Sequence, residues 1–456
     1  LWPDSSALMH LHTLLWLAAL LGALGVLYRR FLPPRVACLA LALFAWDDAR
    51  GQVLSWIAKR NALLAGLLGV LAILAYDRWR RDGWRPGAWL GPLLVAGSLL
   101  SAEAGLATPG FLFAYALCVD RGSLARRLLR LLPTALVVVA WQAVYAARGY
   151  GVEASAVYVH PLHEPLAYTR QVLVRAPLLV LGQLTPLGSD FSGLYSPAVL
   201  GAVLLLTAAL LVAVARAAWP RLAAEPSSRF WLVGSALALL PVASTTPSDS
   251  NLGFVAIGAA PLLAAIFASF VDAPPAPRWP RVVVGALAIC NLGLAPLLLP
   301  LKSLSTLGLA YGLARIDESL PRDPAITAKT LVVVSIASEG GPYAVANYRD
   351  AQGIPQPGRT RLLATTFGEL SVTRLDAVTL RLRPAGGFLA HDMHRLVRGP
   401  SRPFRAGDRV ELSDLTATVT EISGDGRPLT VEFRFHAPLE SPEWLWMRGQ
   451  GLGLVE

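Results

Sequence analysis

Charge is scarce in this chain. Only 15% of its 456 residues are Asp, Glu, Lys or Arg, against about 25% in a typical soluble domain, which excludes one compact water-soluble enzyme. Cysteine is scarce as well. Cys38, Cys118 and Cys290 each lie within or at the end of an apolar run, and three such positions build neither a disulfide framework nor a zinc spacing. They read as small core residues. Lysine is nearly missing, with 3 residues against 37 arginines, a bias expected of a GC-rich coding sequence. No Walker loop, nucleophile elbow, HExxH or GxGxxG occurs. The first residue is Leu rather than Met, so a preceding N-terminal piece is expected.

What the chain has instead is apolar length. Hydrophobic residues make up 54% and the mean hydropathy is +0.51. Residues 1–300 carry 22 basic and 13 acidic side chains, whereas residues 301–456 carry 18 and 17. The first part has the composition of a membrane protein and the second that of a soluble domain. The organisation expected is a transmembrane helical domain over 1–300, an amphipathic helix and linker over 301–329, and a β-barrel or sandwich over 330–456. Of the net charge of +10, all but +1 lies in the first part, in short loops between apolar runs. There it reports topology rather than nucleic-acid binding.

A bilayer-spanning helix needs about 20 mostly apolar residues. Ten runs qualify as crossings: 5–28, 36–46, 61–76, 86–102, 104–119, 131–147, 191–215, 230–248, 250–271 and 282–301. With the N-terminus outside, the inner loops hold 16 arginines and the outer loops only six basic residues, which satisfies the positive-inside rule. Ten crossings then put the tail outside, on the periplasmic face of a bacterial inner membrane. The longest outer connection, 148–190, is expected to carry a membrane-surface helix near 166–184.

After residue 300 the pattern changes. An amphipathic helix over 301–320 is expected to end at Pro321 and Pro324. "TLVVVSIAS" (330–338) is β-branched, and "SVTRLDAVTLRLRP" (371–384) and "DRVELSDLTATVTEI" (408–422) alternate apolar and polar residues, the period of strands. Gly424-Asp425-Gly426 turns into "LTVEFRFH" (429–436), a hairpin. An all-β domain of about seven strands follows, with Trp444 and Trp446 as core residues.

Polar groups at the ends of apolar helices are costly unless paired or used. The densest set is "WDDARGQVLSWIAKRNALLAG" (46–66), which places Asp47, Asp48, Gln52, Lys59, Arg60 and Asn61 on the outer side. Lys59 and Arg60 suit a lipid phosphate or diphosphate, with Asp48 as positioning group or base. The competing reading is a salt-bridged corner that fixes two spans. Glu103 stands alone at another outer hairpin. His160, His163 and Glu164 carry zinc-type donors, but interleaved prolines and the lack of helical spacing speak against a metal, as for His391-Asp392-Met393-His394. Asp249, in "TTPSDSN", is expected to be a helix N-cap.

"LFAWDDARGQVLSWIAKRNALLA" (43–65) and "LLSAEAGLATPGFLFAYAL" (99–117) resemble, in order, two segments of GT-C membrane glycosyltransferases, especially protein O-mannosyltransferase-like proteins. "YVHPLHEP", "RAPLLVLGQL" and "PVASTTPSDSNLGFVAIGAAPLLA" resemble bacterial multi-spanning proteins with that core. The family's His-Pro stands here as Asp47-Asp48, its Glu as Gln52, its Gly-Arg as Lys59-Arg60 and the Lys of its second motif as Ala102, while Glu103 remains. The resemblance implies a polytopic GT-C-like fold and transfer of a sugar from a polyprenyl-phosphate carrier to a glycan or protein acceptor on the external face. It implies Asp47, Asp48, Gln52, Lys59, Arg60 and Glu103 as substrate or lipid-phosphate binding residues, and leaves a divalent metal open. The family's main catalytic carboxylate belongs to the first outer loop, expected upstream of Leu1, with Asp4 near its end. Two rival readings are a non-catalytic envelope-assembly scaffold, suggested by the substituted motifs, and a transporter or lipid flippase, suggested by the short spans 86–102 and 104–119.

Overall fold

A computed structural model of the chain describes all residues except 1–4, 152–154, 223–224, 272–277, 338–339, 397, 452 and 456. Asp4 therefore lies outside the described residues. The chain divides into two compact units: residues 1–151 with 159–306, and residues 152–158 with 307–456. Helix accounts for 62% of the chain.

The first unit is helical. Each of the ten apolar runs forms a helix: Ser6–Phe31, Pro34–Ala45, Arg60–Asp82, Gly87–Ser101, Ala107–Cys118, Leu132–Ala147, Pro197–Leu222, Pro226–Ala243, Gly253–Val271 and the run beginning at Arg278. Among the described residues, five helices are long and apolar enough to cross a membrane by length and composition: Ser6–Phe31, Ile57–Asp82, Pro197–Ala217, Gly253–Val271 and Arg278–Ser319. Local chemistry sets the ends. Ser5 accepts from Leu8 N–H at 3.3 Å to cap the first helix, and Pro34 opens the second where its missing N–H costs nothing.

The core of this unit is aromatic where three helices meet. Phe31 stacks on Phe230 with ring centroids 5.1 Å apart, and Trp231 lies 5.7 Å from Tyr28, edge to face. Close approach depends on Gly234, where a Cβ would fall 2.3 Å from the Phe111 ring. Small residues of this kind let helix backbones come close together. The cysteine expectation holds only in part, because Cys38 is exposed while Cys118 and Cys290 are half-buried. An outward-facing position on an apolar helix accounts for that.

Residues 165–184 form a helix as expected, Pro165–Leu184. Its Arg175 is buried, however, and donates to Ala243 O at 3.3 Å. The side chain is thus turned onto a neighbouring helix.

The second unit holds nine strands among the described residues: β1 Thr330–Ile336, β2 Arg359–Thr365, β3 Leu370–Arg374, β4 Thr379–Pro384, β5 Arg409–Glu411, β6 Leu415–Ile422, β7 Pro428–Phe435, β8 Trp444–Gln450 and β9 Gly453–Val455. They form two sheets, β2-β1-β8-β9 and β3-β4-β7-β6-β5. The β6–β7 hairpin matches the expected Gly424-Asp425-Gly426 turn. The run 371–384 folds back on itself as the β3–β4 hairpin. The expectation of an all-β domain is corrected. β1 pairs in parallel with β2, and parallel neighbours need a crossover, which the helix Gly340–Ala351 supplies.

β1 is central because both its faces are covered. Val332 faces the cluster of Leu382, Phe433 and Trp444, while Leu331 and Val333 face Ile316, Val345 and Met447, the alternation of a strand. Trp444 and Trp446 are core residues as expected, their indole N–H groups donating to Pro438 O and Leu439 O at 3.0 and 2.8 Å. Residues 155–158 also belong to this unit, with Ala156 N–H bonded to Arg395 O at 3.2 Å.

Candidate functional site

Polar contacts between the loops of the helical unit gather in two sets. In the arginine-rich set, Asp77 is fully buried and takes Arg30, Arg81 at 3.0 Å and the Tyr115 hydroxyl at 2.9 Å. Asp120 pairs with Arg80 at 3.1 Å and Arg130 at 3.5 Å. This set joins segments near residues 30, 80 and 120–130.

The other set joins segments near 47–59, 183–190, 248–250 and 302, far apart in sequence. Lys302 Nζ lies 2.6 Å from Asp48 Oδ2 and 2.8 Å from Asp249 Oδ2. Asp249 Oδ1 also accepts from the Ser189 N–H at 2.8 Å and its hydroxyl at 2.9 Å. Ser248 Oγ donates to Asp190 at 2.7 Å and lies 2.7 Å from Ser250 Oγ. Lys59 Nζ donates to Ser250 Oγ, and to Gln52 Oε1 at 3.2 Å. Asp47 accepts from Gln183 Nε2 at 3.2 Å and pairs with the buried Arg50 at 3.4 Å. Room for the Asp249 carboxylate comes from Gly182, where a Cβ would meet Oδ1 at 2.5 Å.

Asp48, Asp249 and Arg50 are buried, whereas Asp190 is exposed. Desolvation lifts the Asp48 carboxyl above its usual range, against the lowering pull of the Lys302 hydrogen bond. It lifts Asp190 too, with Asp249 adding to the rise and Ser248 opposing it. Two carboxylates near one lysine thus hold their protons more readily than free side chains do. Lys59 makes no ion pair among the described residues. Its bonded partners, Gln52 and Ser250, are neutral.

Of the six site residues expected from sequence, Asp47, Asp48, Gln52 and Lys59 meet in this cluster. Arg60 turns away, donating to Thr13 Oγ1 at 3.2 Å and Met9 O at 2.9 Å. Glu103 is exposed and accepts from the Tyr145 hydroxyl at 2.6 Å. Asp249 is not an N-cap but a buried ion-pair partner. Sequence reasoning missed Asp190, Lys302 and the serines 189, 248 and 250. The signal available for Lys302 was the rarity of lysine itself.

His160 and His163 stack with centroids 4.2 Å apart. Among the described residues, no group of three or more His, Cys, Asp or Glu is placed to hold a metal ion. Compared with protein-family models, curated proteins and solved structures, the chain finds no match in any of the three.

Proposed function

We propose that the chain is a GT-C-like integral membrane glycosyltransferase of about ten spans that uses a polyprenyl-phosphate sugar, with Lys59, Asp190 and Lys302 at its reacting end. The observation that carries this reading is the meeting of two of the chain's three lysines, in a protein with 37 arginines, with Asp48, Asp190 and Asp249. Lysine is a compact point charge that can meet a phosphate.

The chemistry is a displacement at the anomeric carbon. An acceptor hydroxyl attacks, the bond from the sugar to the carrier phosphate breaks, and the polyprenyl phosphate leaves with the electron pair. Asp190, exposed and raised in pKa, takes the hydroxyl proton. Lys59 and the hydroxyls of Ser248 and Ser250 face the charge that develops on the leaving phosphate. Lys302, held by two carboxylates, positions the loops that carry them.

Two features support an outward-facing site in a bacterial inner membrane. The clustered segments are all ones that the arginine count assigns to the outer side, while the Asp77 and Asp120 networks join segments assigned to the inner side. Hydrogen bonds and ion pairs between these loops keep to one set or the other among the described residues. On this reading the β unit is periplasmic and receives a glycan or protein acceptor.

One observation favours a non-catalytic scaffold. Arg60, which matches the family's Gly-Arg position, is spent on Thr13 and Met9. The full-length protein in proteoliposomes with radiolabelled polyprenyl-phosphate sugars decides between them. Glycosyl transfer that is lost in Lys59→Met and Asp190→Asn, with unchanged thermal unfolding, supports the enzyme. Absence of transfer with every lipid-linked sugar tried, or transfer unaffected by both substitutions, removes it.

A further inference from the structure

A groove of about 560 Å³ opens between the helices Pro34–Ala45, Gly253–Val271 and Arg278–Ala288. Two exposed guanidinia, Arg35 and Arg281, stand at one end. Both lie in the first turn of their helices, on the same side as the arginine-rich set around Asp77. Neither makes an ion pair among the described residues, unlike Arg30, Arg80 and Arg81 nearby. Beyond them the lining is apolar, with Leu39, Phe267, Val284 and Leu292.

The dimensions suit one class of occupant. From Arg281 the α-helix rises about 10 Å to Ala288 at 1.5 Å per residue, and the π-helical segment Ile289–Leu294 carries the lining on to Leu292, a depth comparable to half of a hydrocarbon core of about 30 Å. A ligand filling the groove therefore has an anionic head and an apolar tail one leaflet deep. Gly285 lines the middle, and a Cβ there would meet nothing within 4 Å, so the space is open rather than closed by packing. Basic pockets between spans on the cytoplasmic side are the places where anionic lipid head groups bind.

We propose that this groove binds an anionic diacyl phospholipid of the inner leaflet, its phosphate between Arg35 and Arg281 and one acyl chain along Gly285 towards Leu292. The proposal rests on the membrane reading above but not on catalysis. The site lies on the opposite set of loops from Lys59 and Asp190.

The test uses the full chain in detergent, titrated with dioleoylphosphatidylglycerol or dioleoylphosphatidylcholine and read by native mass spectrometry. The wild type should prefer phosphatidylglycerol by at least about ten-fold. Arg35→Gln/Arg281→Gln should bring the preference to within about two-fold, and Gly285→Leu should weaken both lipids by filling the groove. Glycerol 3-phosphate, which has the head but no chains, should not displace the lipid. Equal wild-type affinities, a preference that survives the double substitution, or displacement by glycerol 3-phosphate overturns the proposal. Carbonate extraction separates the two levels. A chain retained in membranes without lipid preference overturns this site alone, and a chain released by carbonate overturns the membrane reading with it.

Discussion

Lys302 Nζ lies 2.8 Å from Asp249 Oδ2, joining the end of the last apolar helix of the helical unit to the turn between two earlier ones. The same ammonium reaches Asp48 at 2.6 Å. One cation thus bridges two buried carboxylates from segments about 200 residues apart, and the loops around the candidate site depend on it.

Lys302→Met leaves Asp48 and Asp249 buried without a cation. Breaking a buried pair in this way costs about 3–5 kcal/mol, and the partial exposure of Lys302 puts the expected loss near the lower end, about 3 kcal/mol. Thermal unfolding of the full chain in detergent measures it. Adding Asp48→Asn and Asp249→Asn to Lys302→Met should recover at least half of the loss, since no unpaired charge then remains. No recovery in the triple variant counts against the pairing as the cause.

Asp190 and Asp48 both have carboxyls raised above the ordinary value of 3.8 by desolvation, and this fixes the sign of two pH effects. A base with a raised pKa loses its free carboxylate earlier on acidification. With Asp190 as the proposed base, the proposed glycosyl transfer should therefore fall as pH drops through a value above 3.8, and Asp190→Asn should abolish it. Stability runs the other way. In that window the native state binds more protons than the unfolded one, so the stabilisation these groups give is full below 3.8 and is lost as pH rises through the raised value. Asp190→Asn should flatten this limb of the unfolding profile. An unchanged limb shows that Asp190 does not titrate there.

The helices were legible because their apolar runs are long and bounded by arginine, proline and glycine, and each of the ten has a helical counterpart. The hairpin at Gly424-Asp425-Gly426 was legible for the same local reason. What remained hidden depends on long-range pairing. Asp249 in "TTPSDSN" reads as a cap because nothing nearby shows that Lys302, 53 residues on, will reach it. Gly340–Ala351 lacks a strong apolar stripe, so the strand signals around it carried the whole tail into an all-β reading. Arg60 is misleading for a simpler reason. Neighbouring residues at a helix start point about 100° apart, so Lys59 enters the cluster while Arg60 turns to the first helix.

In the β unit, Arg349 is fully buried and does the work of a bracket. Its guanidinium donates to Asp317 Oδ1 at 2.6 Å and to the carbonyls of Asp317, Leu320, Pro321 and Pro355 at 2.8–2.9 Å. These carbonyls lie at the end of the helix Ser305–Ser319, just beyond it and in the loop after Gly340–Ala351. Arg349→Met should cost about 3 kcal/mol, because it takes a donor from four carbonyls and leaves Asp317 only the exposed Arg322 at 3.3 Å, and Arg349→Lys should recover little, because a point charge cannot serve five acceptors in a fork. Hydrogen exchange in the full chain checks it, with lost protection expected across β1 and β2. Equal protection in the lysine variant and wild type shows that charge alone suffices.

Gly182 tests whether the Asp249 carboxylate must sit where it does. A Cβ at Gly182 would lie 2.5 Å from Asp249 Oδ1, and one at Gly188 3.1 Å from Oδ2. The first distance forces the carboxylate to move, which breaks its bonds from Ser189 and shifts the partner of Lys302. The second needs only a few tenths of an ångström of adjustment. Gly182→Ala should therefore cost about 1–3 kcal/mol, the range for overpacking, and strongly reduce transfer, while Gly188→Ala should be the milder variant in both. Unfolding and turnover measured side by side decide it. A Gly182→Ala protein that loses stability but keeps full transfer shows that Asp249 braces the loops without contributing to the site. A variant that loses transfer beyond its loss of stability places the carboxylate, and the lysine it holds, within the working geometry.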